Sequence, residues 1–369
     1  MKNKKLLFIL AAVAILAAVL IIVTQFQKPK ENTGNVIKIG AILPLTGSAA
    51  EFGVGNKNGI TLMIEDINNS GGIDGKKISV SYEDSQNDPK TAASIFNKMI
   101  VSNKPDVLFI CMSSISMSLK PLIESKRIPA FCVAATPELT KDAKYIFRLL
   151  PTINQYANAL ATLIKEKALE NERIAVFYIN DEFGESFKTS FLGKASKIKL
   201  NVVYESSFDK EGSDFRSIIV KALDKNPNSI AIGGYGSALG VFIKQLREKG
   251  FKGIIYGTPD LGYPRVLDII GNIIGECYIV DFAIDYSNPR VKNFIDRYKN
   301  HYGTAPSPDA FIGYDGMGLI AEGYKNFKLY NLNELREGII MIKKYPGIMG
   351  ELTVDETGDV EFSLKLKKL

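Results

Sequence analysis

The chain has no tryptophan, a single histidine (His301) and three cysteines, Cys111, Cys132 and Cys277. One histidine leaves little material for a zinc site, a serine–histidine–aspartate triad or histidine-based acid–base chemistry. Three thiols in 369 residues make no disulfide scaffold. Acidic residues are absent from the first thirty positions, which carry Lys2, Lys4, Lys5, Lys28 and Lys30. Most of the formal charge of +6 therefore belongs to this tail, and the body is nearly neutral. A nucleic-acid-binding protein needs a basic stripe on its body, so that class is disfavoured. What is present is ordinary globular composition, 46% apolar and 23% charged, in a length that suits one large or two medium domains.

Lys2, Lys4 and Lys5 precede an uncharged apolar run of 18 residues, 6–23. The apolar core of a cleaved signal is about 7–15 residues and a spanning helix needs about 17–25. The run is therefore expected to be an uncleaved membrane anchor with its lysines on the cytoplasmic side. Cleavage near Ala17-Ala18 is the alternative and would give a secreted protein. No cysteine follows the run, which disfavours lipid modification, and 25–35 reads as a polar linker with Pro29 and Gly34. No second span follows, so the body is expected outside the cytoplasm. That compartment can oxidise thiols. The cysteines read as small buried apolar residues, with a Cys111–Cys132 bridge open if their strands are neighbours.

The body alternates strand-like and helical segments. Strands are expected at 36–43, 78–82, 107–110, 129–133 and 146–149, with helices at 54–69, 89–101 and 119–125. Ile60, Met63, Ile64 and Ile67 follow helical spacing, and Asp88-Pro89 reads as an N-cap followed by proline at the first helical position. After Asn154 the pattern restarts: a helix at 156–169, strands at 174–179, 202–208, 229–232, 253–256 and 277–280, and helices at 184–198, 214–224, 238–249 and 265–270. Two successive βα blocks predict two parallel sheets flanked by helices. Helices at 289–302, 309–328 and 332–342 and short strands near 351–354 and 360–364 close the chain.

In open parallel sheets ligands bind beyond the carboxyl ends of the strands. Three strand ends there carry small or hydroxyl residues: Leu43 through Gly53, then Cys111-Met112-Ser113-Ser114, then Ala134-Ala135-Thr136-Pro137-Glu138-Leu139-Thr140. Two hydroxyl-bearing loops on adjacent strands could hold a carboxylate without a basic residue, although capping hydroxyls give the same pattern. Gly233-Gly234-Tyr235-Gly236 lacks dinucleotide-fingerprint spacing. Glu83, Asp84 and Asp88 are better read as helix-cap and loop residues than as an acid–base or metal cluster. His301, near a helix end before Gly303, reads as a dipole-facing surface residue.

Taken together, Ile37 through Gly47, Asn58-Gly59-Ile60 through Gly75, Asp84 through Pro89, Ala134 through Thr140, Phe183-Gly184-Glu185, Gly233-Gly234-Tyr235 and Gly350 through Val360 resemble the extracytoplasmic solute-binding proteins of the leucine/isoleucine/valine-binding type. The resemblance implies an α/β protein of two doubly wound parallel-sheet lobes joined by a three-crossing hinge, the periplasmic-binding type I fold, preceded by the anchor. It places the crossings near Asn154, near Asp285 and around Met349-Gly350. The first lobe would then be 36–153 with 285–350, and the second 154–284 with 351–369, after the 1–35 segment.

By the same resemblance, Ser113, Ser114, Ala135 and Thr136 would hold a ligand α-carboxylate. Asp260, the Ala134 carbonyl, the Thr136 hydroxyl and Tyr235 would meet its ammonium. Phe52 and Phe183 would form apolar walls, with Phe311 and Tyr314 as further wall residues. Asp260 is shorter than the family's usual glutamate, and Phe52 and Phe183 lack hydroxyls. A surface acid capping the helix after Pro264 is the other reading of Asp260.

The function so implied is the substrate-binding component of an ABC importer that closes on an amino acid, branched-chain or otherwise apolar, and docks on a permease. It needs no cofactor, no metal and no nucleic acid. A sensory receptor using the same cleft, an extracellular enzyme, and a binder of another small amide or carboxylate are the rivals.

Overall fold

Buried strands shielded on both faces read as unbroken apolar runs, and the computed structural model shows where these runs pair. It describes residues 36–47, 49–167, 172–326 and 332–369. The expected anchor lies outside them. Among the described residues no helix is long and apolar enough to cross a membrane.

The first sheet contains β1 (Val36–Leu43), β2 (Lys77–Asp84), β3 (Val107–Cys111), β4 (Ala130–Val133) and β5 (Ile146–Arg148), in the order β2-β1-β3-β4-β5. All of its pairings are parallel. The connecting helices are α1 (Ala50–Asn69), α2 (Pro89–Ser102) and α3 (Ser113–Lys126). The second lobe opens with α4 (Ile153–Lys167) and runs β6 (Ile174–Ile179), α5 (Glu182–Lys197), β7 (Val202–Phe208), α6 (Arg216–Leu223), β8 (Ser229–Gly233), α7 (Gly236–Glu248), β9 (Ile254–Gly257), α8 (Pro264–Ile270) and β10 (Cys277–Phe282). α9 (Pro289–Tyr302), α10 (Pro308–Asn326) and α11 (Leu332–Ile340) follow, and the chain ends with β11 (Tyr345–Gly347), β12 (Gly350–Val354), β13 (Val360–Glu361) and β14 (Leu364–Lys368). The second sheet is ordered β14-β10-β9-β8-β6-β7, parallel except for β14 against β10.

Each sheet thus reverses its strand order once, between β1 and β3 in the first lobe and between β6 and β8 in the second. Each is covered on both faces. Val107, Phe109 and Cys111 of β3 face the core shared with α1, α9 and α10, while Leu108 and Ile110 face the core shared with α2 and α3. In the second lobe α6, α7 and α8 cover one face and α4 and α5 the other. This period-two division of one strand is what makes both sheets doubly wound.

Two features differ from the expectation. The segment expected as one strand at 360–364 is two, in different sheets. Leu352, Val354 and Val360 are buried in the first lobe's core, and β12 pairs on one side with β13 and on the other with β11, a strand the sequence reading lacked. Only β14 joins the second sheet. The chain therefore does not leave the first lobe at Met349-Gly350; it crosses after Glu361, because the apolar positions of β12 and β13 are spent on the first core. The open Cys111–Cys132 pairing also fails. The register sets Ile110 beside Cys132 and Cys111 beside Val133, so the two thiols point to opposite faces of the sheet, and all three cysteines are free and buried.

Candidate functional site

The two switch points put the same kinds of strand end on both sides of one cleft. From the first lobe come the turns after β1, β3 and β4; from the second, those after β6, β8 and β9. In the first lobe the β3–β4 pairing brings two of the predicted loops together: the Ala135 N–H donates to Ser113 Oγ at 3.1 Å. Thr136 Oγ1 donates to Glu138 Oε2 at 3.0 Å. Ala134 is buried, Ser113, Ala135 and Thr136 are half-buried, and Ser114 is exposed. Met112, immediately before Ser113, adopts φ +89°. A non-glycine residue held there costs on the order of 1–3 kcal/mol, so the turn that presents the serines is strained.

On the second lobe Tyr235 donates its hydroxyl to Asp181 Oδ2, and its ring meets Phe183 edge-on with centroids 5.4 Å apart. Asp181 was not singled out in the sequence. It also caps α5, its Oδ1 accepting from the Gly184 N–H at 3.0 Å, and the acid three positions before a helical glycine was the available signal. Asp260 sits in the 3₁₀ turn Pro259–Gly262 after β9. It does not cap α8, whose first turn follows Tyr263 without any side-chain cap. Burial pushes the Asp260 carboxyl up to about 6, against a lowering hydrogen bond from Thr258.

The lobes meet through a residue pair that the sequence reading missed. Tyr263, on the second lobe, donates its hydroxyl to Asp309 Oδ2 at 3.2 Å, and its ring lies 5.0 Å from that of Phe52 on the first lobe. Asp309, at the start of α10, also accepts from Asn56 Nδ2 at 3.2 Å and is only 3% exposed. Nothing in the order of residues distinguishes Asp309 from any acid in a helix's first turn. Phe311 and Tyr314, expected as cleft walls, are elsewhere: Phe311 packs on Phe294 in the first core with ring centroids 4.8 Å apart, and the Tyr314 hydroxyl donates to Asp66 at 2.7 Å. They lie two and five residues past Asp309, about 200° and about 140° around the helix from it, so both turn away from the cleft.

The thiols are held far from the anionic form. Burial pushes Cys132 and Cys277 up to about 12 and Cys111 well above its ordinary value, which removes thiolate nucleophiles. Among the described residues no group of three or more histidine, cysteine, aspartate or glutamate side chains is placed to hold a metal ion.

Two buried carboxyls make stability pH-dependent. Burial raises Asp309 and Asp315 to about 7. Asp315 accepts from the Ile348 and Met349 N–H groups at 2.9 and 2.8 Å. Between the ordinary carboxyl range near 4 and pH 7 the folded state binds more protons than the unfolded, so stability falls as pH rises through that window. The melting temperature of the ligand-free protein is expected to be higher at pH 5 than at pH 8. Asp309→Asn keeps both hydrogen-bond partners and should remove its share of this slope, on the order of 2 kcal/mol; differential scanning calorimetry at the two pH values measures it.

A family model described as a periplasmic binding protein matches residues 36–361. The chain belongs to that family. Among curated relatives of this periplasmic binding protein, the Leu/Ile/Val-binding protein of Escherichia coli is 25% identical over 337 residues, 88% of each chain. The Leu/Ile/Val-binding protein homolog 3 of Brucella melitensis is 24% identical over 330 residues, again 88% of each. Among solved structures, a leucine binding protein from Thermotoga maritima superposes with a TM-score of 0.78 at 22% identity, over 90% of this chain and 97% of that one. A solute binding protein from Rhodopseudomonas palustris in complex with benzoate gives 0.76 at 20% identity, over 90% and 93%. These likenesses establish the two-lobed α/β fold. Members of this family are periplasmic binding proteins, which act outside the cytoplasm.

Proposed function

We propose that this periplasmic binding protein captures an amino acid, branched-chain or otherwise apolar, between its lobes and delivers it to the permease of an ABC importer. The observation that carries the reading is the division of the cleft: hydroxyls and backbone N–H groups at Ser113, Ser114, Ala135 and Thr136 on one lobe, and the desolvated Asp260 carboxylate on the other. A zwitterion satisfies both ends at once, and either end left unpaired would be costly. The Thr136 hydroxyl now spent on Glu138 would turn to the ligand carboxylate. Ala134 supplies a carbonyl for the ammonium beside Thr136 and Tyr235, and Phe52 and Phe183 supply apolar walls. The relatives' names, Leu/Ile/Val-binding, agree with this chemistry. A benzoate-like anion, as held by one fold neighbour, would leave Asp260 facing a negative charge or an apolar ring.

A thermal-shift panel of L-amino acids, simple amides and aromatic carboxylates tests the assignment, since ligand at about 100 times its Kd adds about 2.7 kcal/mol. Stabilisation by leucine, isoleucine or valine is expected; a shift with benzoate alone would refute the zwitterion. Thr136→Val keeps shape and removes the hydroxyl, so amino-acid affinity measured by calorimetry should fall by roughly 1–3 kcal/mol. Unchanged affinity in a folded variant would mean that the carboxylate lies elsewhere.

The apolar run 6–23 behind Lys2, Lys4 and Lys5 supports retention of the N-terminus as a tether. Intact-mass measurement of membrane-extracted protein should find residues 1–35 present, and a soluble form beginning after residue 20 would exclude the tether.

A further inference from the structure

Among the described residues Arg148 is the largest fully buried side chain. At the end of β5 its guanidinium forks onto Asp359, Nε to Oδ1 at 3.0 Å and Nη2 to Oδ2 at 2.9 Å. Its other hydrogen bonds go to the turn after β4: Nη1 to the Thr136 carbonyl, and Nη2 to the Thr140 hydroxyl and to the Pro137 carbonyl at 3.5 Å. The Arg148 N–H meanwhile donates to the Gly358 carbonyl at 2.9 Å.

Asp359 stands directly before β13, and the chain crosses to the second lobe two residues later. That crossing is bonded to the second one, the Ala283 N–H donating to the Ser363 carbonyl at 2.9 Å. The same turn also touches the first crossing, where the Ile153 N–H donates to the Ala135 carbonyl at 3.2 Å. A planar, permanently charged fork fixes direction as well as distance. Lysine could satisfy one of these partners but not both sides together.

We propose that Arg148 is a positioning residue that ties the Thr136-bearing turn to the hinge through Asp359, so that the turn and the third crossing move as one unit when the lobes close. The proposal rests on the reading that this turn holds the ligand carboxylate.

Asp359→Asn leaves Arg148 and every cleft residue in place but removes the charge and half of the fork, and Arg148→Lys removes the fork from the other side. With L-leucine as probe, each variant should bind about tenfold more weakly. In the Asp359→Asn background, Thr136→Val should cost clearly less than it does in the wild type, because a turn already released gains little from its hydroxyl. In the ligand-free protein, amide hydrogen exchange should quicken in both variants at 134–140 and at 361–364 together. A merely structural Arg148 would lower the melting temperature yet leave the full cost of Thr136→Val unchanged and speed exchange at only one of the two segments; that result overturns the coupling while the ligand site stands. A silent Thr136→Val in the wild type would remove the ligand reading, and the positioning role with it.

Discussion

Replacing Asp260 with asparagine should weaken amino-acid binding by roughly 2–5 kcal/mol, the cost of removing one partner of a buried charge pair. The side chains on the first lobe that would hold the ligand carboxylate can reach an ammonium-binding group only across the cleft. Asp260 would be that group on the second lobe, and burial raises its carboxyl to about 6. An ammonium arriving beside it relieves the penalty, whereas an empty closed cleft does not. Asp260 should therefore favour closure with ligand and opening without it. Asparagine keeps the size and loses the charge, so small-angle scattering should show less ligand-induced compaction as well as the lower affinity. Wild-type affinity and compaction in this variant would sink both the latch and the zwitterion, and would leave an uncharged or purely anionic solute.

The second large effect is expected at the seam between two helices of the first lobe. α1 and α10 approach until their backbones touch: a Cβ added at Gly59 would lie 2.0 Å from the Ala310 carbonyl oxygen and 2.8 Å from the Tyr314 nitrogen. Neither backbone atom can swing aside as a side-chain tip would. Gly59→Val must push the helices apart, and with them Asn56 and Asp309, which bond across the seam. A loss of about 3 kcal/mol in unfolding free energy is expected, with weaker ligand binding because Asp309 would no longer meet Tyr263. Gly193 in α5 provides the control, having nothing within 4 Å of an added Cβ. Gly193→Ala should be neutral or stabilising by about 0.5–1 kcal/mol through helix propensity alone. Equal melting temperatures for the two variants would show that the seam is not tight.

Local chemistry made most of the elements legible. β1, β6, β7 and α9 fall where alternation and spacing put them, and Asp88 caps α2 as its place before Pro89 implies, accepting from the Thr91 N–H at 2.8 Å. These features depend on residues within one or two turns of each other, so their information is contiguous in the chain. The strand ends were legible for the same reason: an apolar run followed by small or hydroxyl residues marks where a parallel strand stops and a helix begins. Ser113, Thr136, Tyr235 and Asp260 were all found at such ends.

What order along the chain could not hold is which distant residues share a contact. Asp309 and Tyr263 are 46 positions apart, and their meeting follows from how two separately formed cores face each other. Phe311, two residues beyond Asp309, was expected in the cleft wall and lies in the core because a helix turns by about 100° per residue. The third crossing moved from Met349-Gly350 to beyond Glu361 because a hydrophobic strand can complete whichever core has space, and only packing decides between two. The cysteines read as small buried apolar residues, with a bridge left open if their strands were neighbours; the strands are neighbours, but a register offset of one residue puts Cys111 and Cys132 on opposite faces. The sequence by itself determined the elements, their alternation and the chemistry offered at each strand end. The tertiary structure decided which of those ends face one another, since packing and register act between residues that the chain keeps far apart.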